Sequence, residues 1–305
     1  MDISVVVDPS TLPPPFTWSA PWTGWNLGPA AVVPVVIAGA AYIAGVRRLR
    51  RNGRRWDPGR TFAFASGLVA VLVALASPID AYAEVRFSVH MAQHVLLMLV
   101  APPLLALGAP ITLALRSASP STRRRLWQPL VRSRAARVLS NPVVGWVLFA
   151  AGPFALHFSP IYQASMESAW MHAIEHGLFL GIGLVYWWPL VGADPSPHRV
   201  SYPARIFSLL LAIPAGGFLS LALFSEESPL YAWYAALPAP WAGTVADQRD
   251  AAALMWVVGG AILVVAVLLE ATAWKRSEEA RQRRIEASDV GRGGEPTAAV
   301  GPATE

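Results

Sequence analysis

The 305 residues are 54% apolar and 14% charged, with a mean hydropathy of +0.43. Soluble domains carry about 25% charged residues, so this composition excludes both a soluble globular domain and a disordered chain and marks an integral membrane protein. The net charge of +5 does not signal a nucleic-acid partner once the cations are placed along the chain, and the absence of cysteine removes disulfides, thiolate metal sites, iron–sulfur clusters and thioether-linked haem.

Residues 1–25 hold two acids, several prolines and no Lys or Arg, the reverse of a signal peptide's basic start, and are expected to form an exposed, retained arm. Apolar stretches long enough to cross about 30 Å of hydrocarbon follow at 26–46, 61–79, 87–115, 142–158, 169–191, 204–224 and 250–273. The expected fold is therefore all-α, a membrane bundle of about seven transmembrane helices over residues 26–275. The third stretch contains Pro102-Pro103 and Gly108-Ala109-Pro110, which predict a kink or an early helix end. The fourth is the shortest. After Trp274 the charges alternate and then give way to Gly, Ala and Pro from Gly291, so 276–305 is expected to be a cytoplasmic tail, a short amphipathic helix followed by disorder.

Of the 24 Lys and Arg residues, 22 fall in the first, third and fifth connections and the tail, with Arg86 and Arg249 alone on the opposite side. The positive-inside rule then puts the N-terminus outside and the C-terminus in the cytoplasm. Topology accounts for these clusters without specific binding of anionic lipid. Trp18, Trp22, Trp25, Trp187, Trp188, Trp233, Trp241 and Trp274 lie near the predicted boundaries and are expected to anchor them.

On this topology five of the six histidines converge in depth. The third and fifth helices run the same way, and both open with a pair: His90-Met91-Ala92-Gln93-His94 and His172-Ala173-Ile174-Glu175-His176. A spacing of four puts each pair on one helix face, about 6 Å apart along the axis, suited to one ion or to neighbouring ions. The fourth helix runs back and returns His157 to the same level, whereas His198 falls in a cytoplasmic connection and is expected to be solvated. Met91, Met98, Met166, Met171, Glu167, Glu175, Asp247 and Asp250 lie at similar depth. Thioether with imidazole suits Cu(I), and imidazole with carboxylate suits Cu(II) or Zn(II), so copper is the first candidate. Glu175 lies between two histidines and can orient an imidazole. The candidate metal residues are His90, His94, His172, His176, His157, Asp247, Met91 and Glu175. Packing explains a buried methionine equally well, and Asp247 and Asp250 suit the N-terminus of the last helix.

The chain resembles the multi-spanning CtaG family of cytochrome c oxidase assembly factors over about residues 26–275. The resemblance rests on the His90–His94 motif running through Leu96-Leu97-Met98 to Ala101-Pro102-Pro103-Leu104-Leu105 and Gly108-Ala109-Pro110. It also rests on the His172–His176 motif with Gly177-Leu178-Phe179, leading to Tyr186-Trp187-Trp188-Pro189, and on Asp247-Gln248 with Leu254-Met255-Trp256. It implies a multi-pass protein of the bacterial plasma membrane that places copper in the oxidase at the CuB centre of subunit I. His90, His94, His172 and His176 would handle the metal, with Asp247 nearby. Arg249-Asp250-Ala251-Ala252-Ala253 departs from the family's usual Ala-Gly step, which removes support for a role of Asp250. A single-span copper chaperone that shares the family's name depends on cysteine and is excluded.

A copper-handling assembly factor is not an enzyme. The alternative is a haem-binding redox or haem-modifying protein, because paired histidines can provide axial ligands. A zinc peptidase would use the H-x-x-E-H spacing of His172, Glu175 and His176, but no distinctive third-ligand motif follows. A scaffold for a nascent oxidase subunit would need none of the four paired histidines.

Overall fold

The computed structural model describes residues 12–15 and 24–292. The expectations for the rest of the N-terminal arm, with Trp18 and Trp22, and for residues 293–305 lie outside the described residues. Every regular element among the described residues is helical. Helices α1 (Pro29–Arg51), α2 (Pro58–Ala76) and the short α3 (Pro78–Ala83) lead to α4, which joins Phe87–Val95, a π turn at Leu96–Val100 and Ala101–Leu107. Helix α5 (Pro110–Ser117) completes that passage, and short helical pieces carry the chain from Pro120 to Leu139. Then come α6 (Pro142–His157), α7 (Pro160–Glu167), α8 (Ala169–Val191), α9 (Tyr202–Ser225), α10 (Ala232–Ala235) and α11. The last joins Val245–Leu254, a π turn at Met255–Gly259 and Gly260–Arg292.

Among the described residues six passages are long and apolar enough to cross a membrane, and the count becomes seven when α6 and α7, bent by 66°, form one span. The break answers the shortness of the fourth apolar stretch: Ser159 accepts a hydrogen bond from Ile161 N and Pro160 starts a new helix. Other starts use the same chemistry. Asp57, Ser77 and Asn141 each accept from an amide two residues on, with proline at the first helical position. A helix is present after Trp274 as expected. Residues 276–292 continue α11 without a break.

The predicted kink in the third span has a defined form. The π turn at Leu96–Val100 comes immediately before Pro102 and Pro103, the helix ends at Leu107, and Ala109 adopts a left-handed conformation at φ 49° before Pro110 restarts it. Pro102 has no N–H to give to the carbonyl of Met98 four residues earlier. That carbonyl accepts from the Trp187 indole instead, at 3.1 Å. Trp187 is thus a buried tie between α8 and α4 and not the interfacial anchor expected of it. Gly183 completes the contact, lying close enough to Met98 that a side chain would strike backbone.

The molecule is apolar outward and polar inward. Val36, Ile37, Phe62, Phe207, Phe218 and Leu268 are exposed, whereas His90, Gln93, His157, Glu175 and Gln248 are buried. A bilayer, unlike water, favours this arrangement.

Candidate metal centre

The histidine chamber lies at the end of the bundle away from the arginine-rich connections and is built by α4, α6 and α8. Four-residue spacing brings His90 and His94 to one face of α4, with Nε2 atoms 2.9 Å apart. The same spacing sets the rings of His172 and His176 on α8 at 4.2 Å between centroids. The two pairs face each other: His90 stacks on His172 at 5.4 Å, and His94 meets His176 at 6.5 Å. His157, at the last residue of α6, lies edge-on to His94 at 5.7 Å. The five histidines expected at one depth therefore share one chamber. His198 is elsewhere, bonded through Nδ1 to Ser140 Oγ at 3.1 Å.

Glu175 supplies the charge. Its Oε1 lies 3.8 Å from His90 Nε2 and 3.6 Å from His94 Nε2, and its side chain is fully buried. Among the described residues neither carboxylate oxygen has a hydrogen-bond partner, nor do His90 Nδ1, His94 Nδ1, His172 Nε2 or His176 Nε2. Burying a carboxylate without partners is costly, and a cation relieves that cost while taking up nitrogen lone pairs. Ligand atoms of His90, His172 and Glu175 all fall within 4.8 Å of one another, so the cluster is able to chelate a metal ion.

Three other candidates are placed differently from one another. Met91 is fully buried, with Sδ 3.3 Å from His157 Nε2. Asp247 is engaged at the start of α4: Oδ2 accepts from Phe87 N at 2.8 Å and Oδ1 from the Ser88 hydroxyl at 2.5 Å. It caps the helix that carries His90 and His94, whereas the sequence pointed to the start of its own helix, whose cap is Thr244. Asp250 is exposed.

Met166 Sδ is 3.5 Å from the Tyr234 hydroxyl, and Glu167 accepts from Gln163 at 2.6 Å. Trp241 is buried beneath the Arg86 guanidinium and not at an anchoring position.

The capping role carries a prediction. Asp247→Ala removes a charged cap from the positive end of a helix and is expected to cost about 1–2 kcal/mol, with Asp247→Asn intermediate. Thermal unfolding in detergent checks the order; an unchanged midpoint in Asp247→Ala would remove the capping role.

Sequence reasoning missed the residues that hold the chamber in shape. Gln93, inside the first motif, is fully buried and donates to the Ala74 carbonyl at 2.8 Å and to Asp80 Oδ1 at 2.9 Å, tying α4 to α2 and α3. Burial raises the Asp80 carboxyl above its ordinary pKa, and the Gln93 amide opposes that shift. Phe179 stacks on His94 at 3.6 Å, and Tyr162 packs against both His90 and His157. Gln93 was legible as a polar residue on the histidine helix; Tyr162 carried no such signal, because α7 folds back only through the bend.

Residues 40–277 match the family described as cytochrome c oxidase caa3 assembly factors, CtaG. The chain belongs to this family. CtaG-type proteins are assembly factors and not enzymes, and they are multi-pass proteins of the bacterial plasma membrane. The chain is also 32% identical over 275 residues to uncharacterized proteins of Mycobacterium bovis and Mycobacterium tuberculosis, covering 88% of this chain and 42% of each relative. An uncharacterized Mycobacterium leprae protein is 32% identical over 267 residues, covering 84% of this chain and 40% of the relative. The chain thus spans about two fifths of the length of the curated relatives it matches. No solved structure matches it.

Proposed function

We propose that this CtaG-type protein binds copper at the outer face of the membrane through His90, His94, His172 and His176, with Glu175 as the charged partner, and passes it to cytochrome c oxidase for the CuB centre of subunit I. The observation that carries the reading is the meeting of two His-x-x-x-His faces from different helices around a buried carboxylate with no hydrogen-bond partner. The donor chemistry supports copper: imidazole nitrogens suit it, and its affinity for such sites exceeds that of the other divalent first-row metals. Family membership supports the oxidase as recipient. The outward orientation rests on the arginine distribution, which supports an outer N-terminus and a cytoplasmic C-terminus.

The domain division is part of the same reading: an outer arm at 1–25, the metal-handling bundle at 26–275 and a cytoplasmic tail at 276–305. Asp247 acts by positioning α4. The bundle's apolar exterior is its contact with lipid. An ion fits the chamber better than a haem. The imidazoles of each pair lie in mutual contact, and Phe179 covers one face of His94, whereas haem needs a flat slot between two opposed ligands.

Elemental analysis of protein purified from copper-supplied cells tests the proposal, beside a variant with all four paired histidines replaced by alanine. Near-stoichiometric copper in the native protein and its loss in the variant are expected. Iron with a Soret band would establish the haem reading instead, and no metal in either sample would favour the scaffold.

A further inference from the structure

We propose that His157 and Met91 form a second, soft site in the chamber, selective for Cu(I) and distinct from the His90, His172 and Glu175 cluster. His157 Nδ1 lies 2.7 Å from the Pro153 carbonyl oxygen. A carbonyl only accepts, so Nδ1 carries the hydrogen. His157 is in no ion pair among the described residues, and the neutral ring then presents a bare lone pair at Nε2.

That lone pair faces another. Met91 Sδ lies 3.3 Å from Nε2, and a thioether has no hydrogen to give. Both residues are essentially inaccessible, at 2% and 0% exposure. Two buried lone-pair atoms held together repel unless a cation joins them. The spacing suits one: an ion about 2.0 Å from nitrogen and about 2.3 Å from sulfur holds the two about 3.3 Å apart at an angle of about 100°. A bent bite leaves room for a third donor, and His94, whose Nδ1 has no partner, lies edge-on to His157.

Surrounding contacts fix the pair before any ion arrives. Tyr162 stacks on the His157 ring at 5.4 Å, and the Tyr231 hydroxyl donates to the His157 carbonyl at 3.2 Å. Thioether with imidazole selects Cu(I), while the carboxylate-bearing set around Glu175 suits a divalent ion. The chamber thus holds two donor sets of different softness, with His94 beside both: its Nε2 is 2.9 Å from His90 Nε2. This second site rests on the metal-handling role proposed above and extends it through His157 and Met91, which that role does not use.

Titration of the purified full chain with Ag(I), a redox-inert stand-in for Cu(I), and separately with Co(II) tests it. Met91→Leu keeps the volume and apolarity of the side chain and is expected to weaken Ag(I) binding at least about tenfold while leaving Co(II) binding unchanged. His172→Ala combined with Glu175→Leu is expected to do the reverse. X-ray absorption of the Cu(I)-loaded native protein is expected to show a sulfur neighbour that Met91→Leu lacks. Unchanged Ag(I) affinity in Met91→Leu, or no sulfur neighbour in the native protein, would overturn the soft site. Ag(I) binding that depends on Met91 in a protein that binds no Co(II) would uphold the soft site and overturn the Glu175 cluster instead.

Discussion

Glu175→Leu is expected to raise the thermal midpoint of the metal-free protein and to abolish its stabilisation by a divalent metal such as Co(II). The native carboxylate is fully buried and neither oxygen has a hydrogen-bond partner. Removing such a group relieves a desolvation cost of about 1–3 kcal/mol, and leucine fills most of the space left behind. Saturating metal stabilises the native protein in the other direction, by about 2.7 kcal/mol at a hundredfold excess over Kd. The variant should therefore melt above the native protein without metal and below it with metal. Such an inversion separates a group kept for binding from one kept for the fold. A midpoint that falls in the metal-free variant would show that His90 and His94, 3.8 and 3.6 Å away, hold Glu175 as a structural ion pair.

The parts of this architecture that depend on period and composition were legible in the sequence. Seven apolar stretches correspond to the six long passages and the bent pair, because hydrocarbon thickness fixes length more tightly than any tertiary preference. The meeting of the two histidine pairs was legible as well: four-residue spacing fixes the face, and parallel direction in the membrane fixes the depth. Rotation of one helix about its axis is not encoded that way. Asp247 shows the limit. Its position suggested a cap for its own helix, whereas the α11–α4 packing turns it onto the amide of Phe87. Trp187 shows another, since an indole near a boundary reads as an anchor until the unpaired Met98 carbonyl opposite it is known. The bend between α6 and α7 hides Tyr162 for the same reason: a break of two residues redirects a whole helix, and periodicity says nothing of direction.

Gly183→Ala is expected to separate the two histidine pairs from a distance. Gly183 follows His176 by seven residues, two turns along the same face of α8. A Cβ there would lie 2.6 Å from Pro102 Cγ, 2.8 Å from the Met98 carbonyl oxygen and 3.1 Å from Met98 Cα. Two of the three are backbone atoms and cannot swing aside, so α8 must move off α4. Overpacking of this kind costs about 1–3 kcal/mol, and it also strains the Trp187 hydrogen bond to the same carbonyl. Because His172 and His176 ride on α8 and His90 and His94 on α4, the shift opens the chamber and should weaken metal binding by about 10–100-fold. Gly177→Ala supplies the control. It lies on the same helix next to His176, has nothing within 4 Å of the added methyl group, and gains helix propensity of about 1 kcal/mol. Metal titration and thermal unfolding of the two variants should therefore diverge, Gly183→Ala losing affinity and stability while Gly177→Ala keeps both. Native affinity in Gly183→Ala would mean that the pairs do not act together, and the chamber would then hold two independent two-histidine sites, one on each helix.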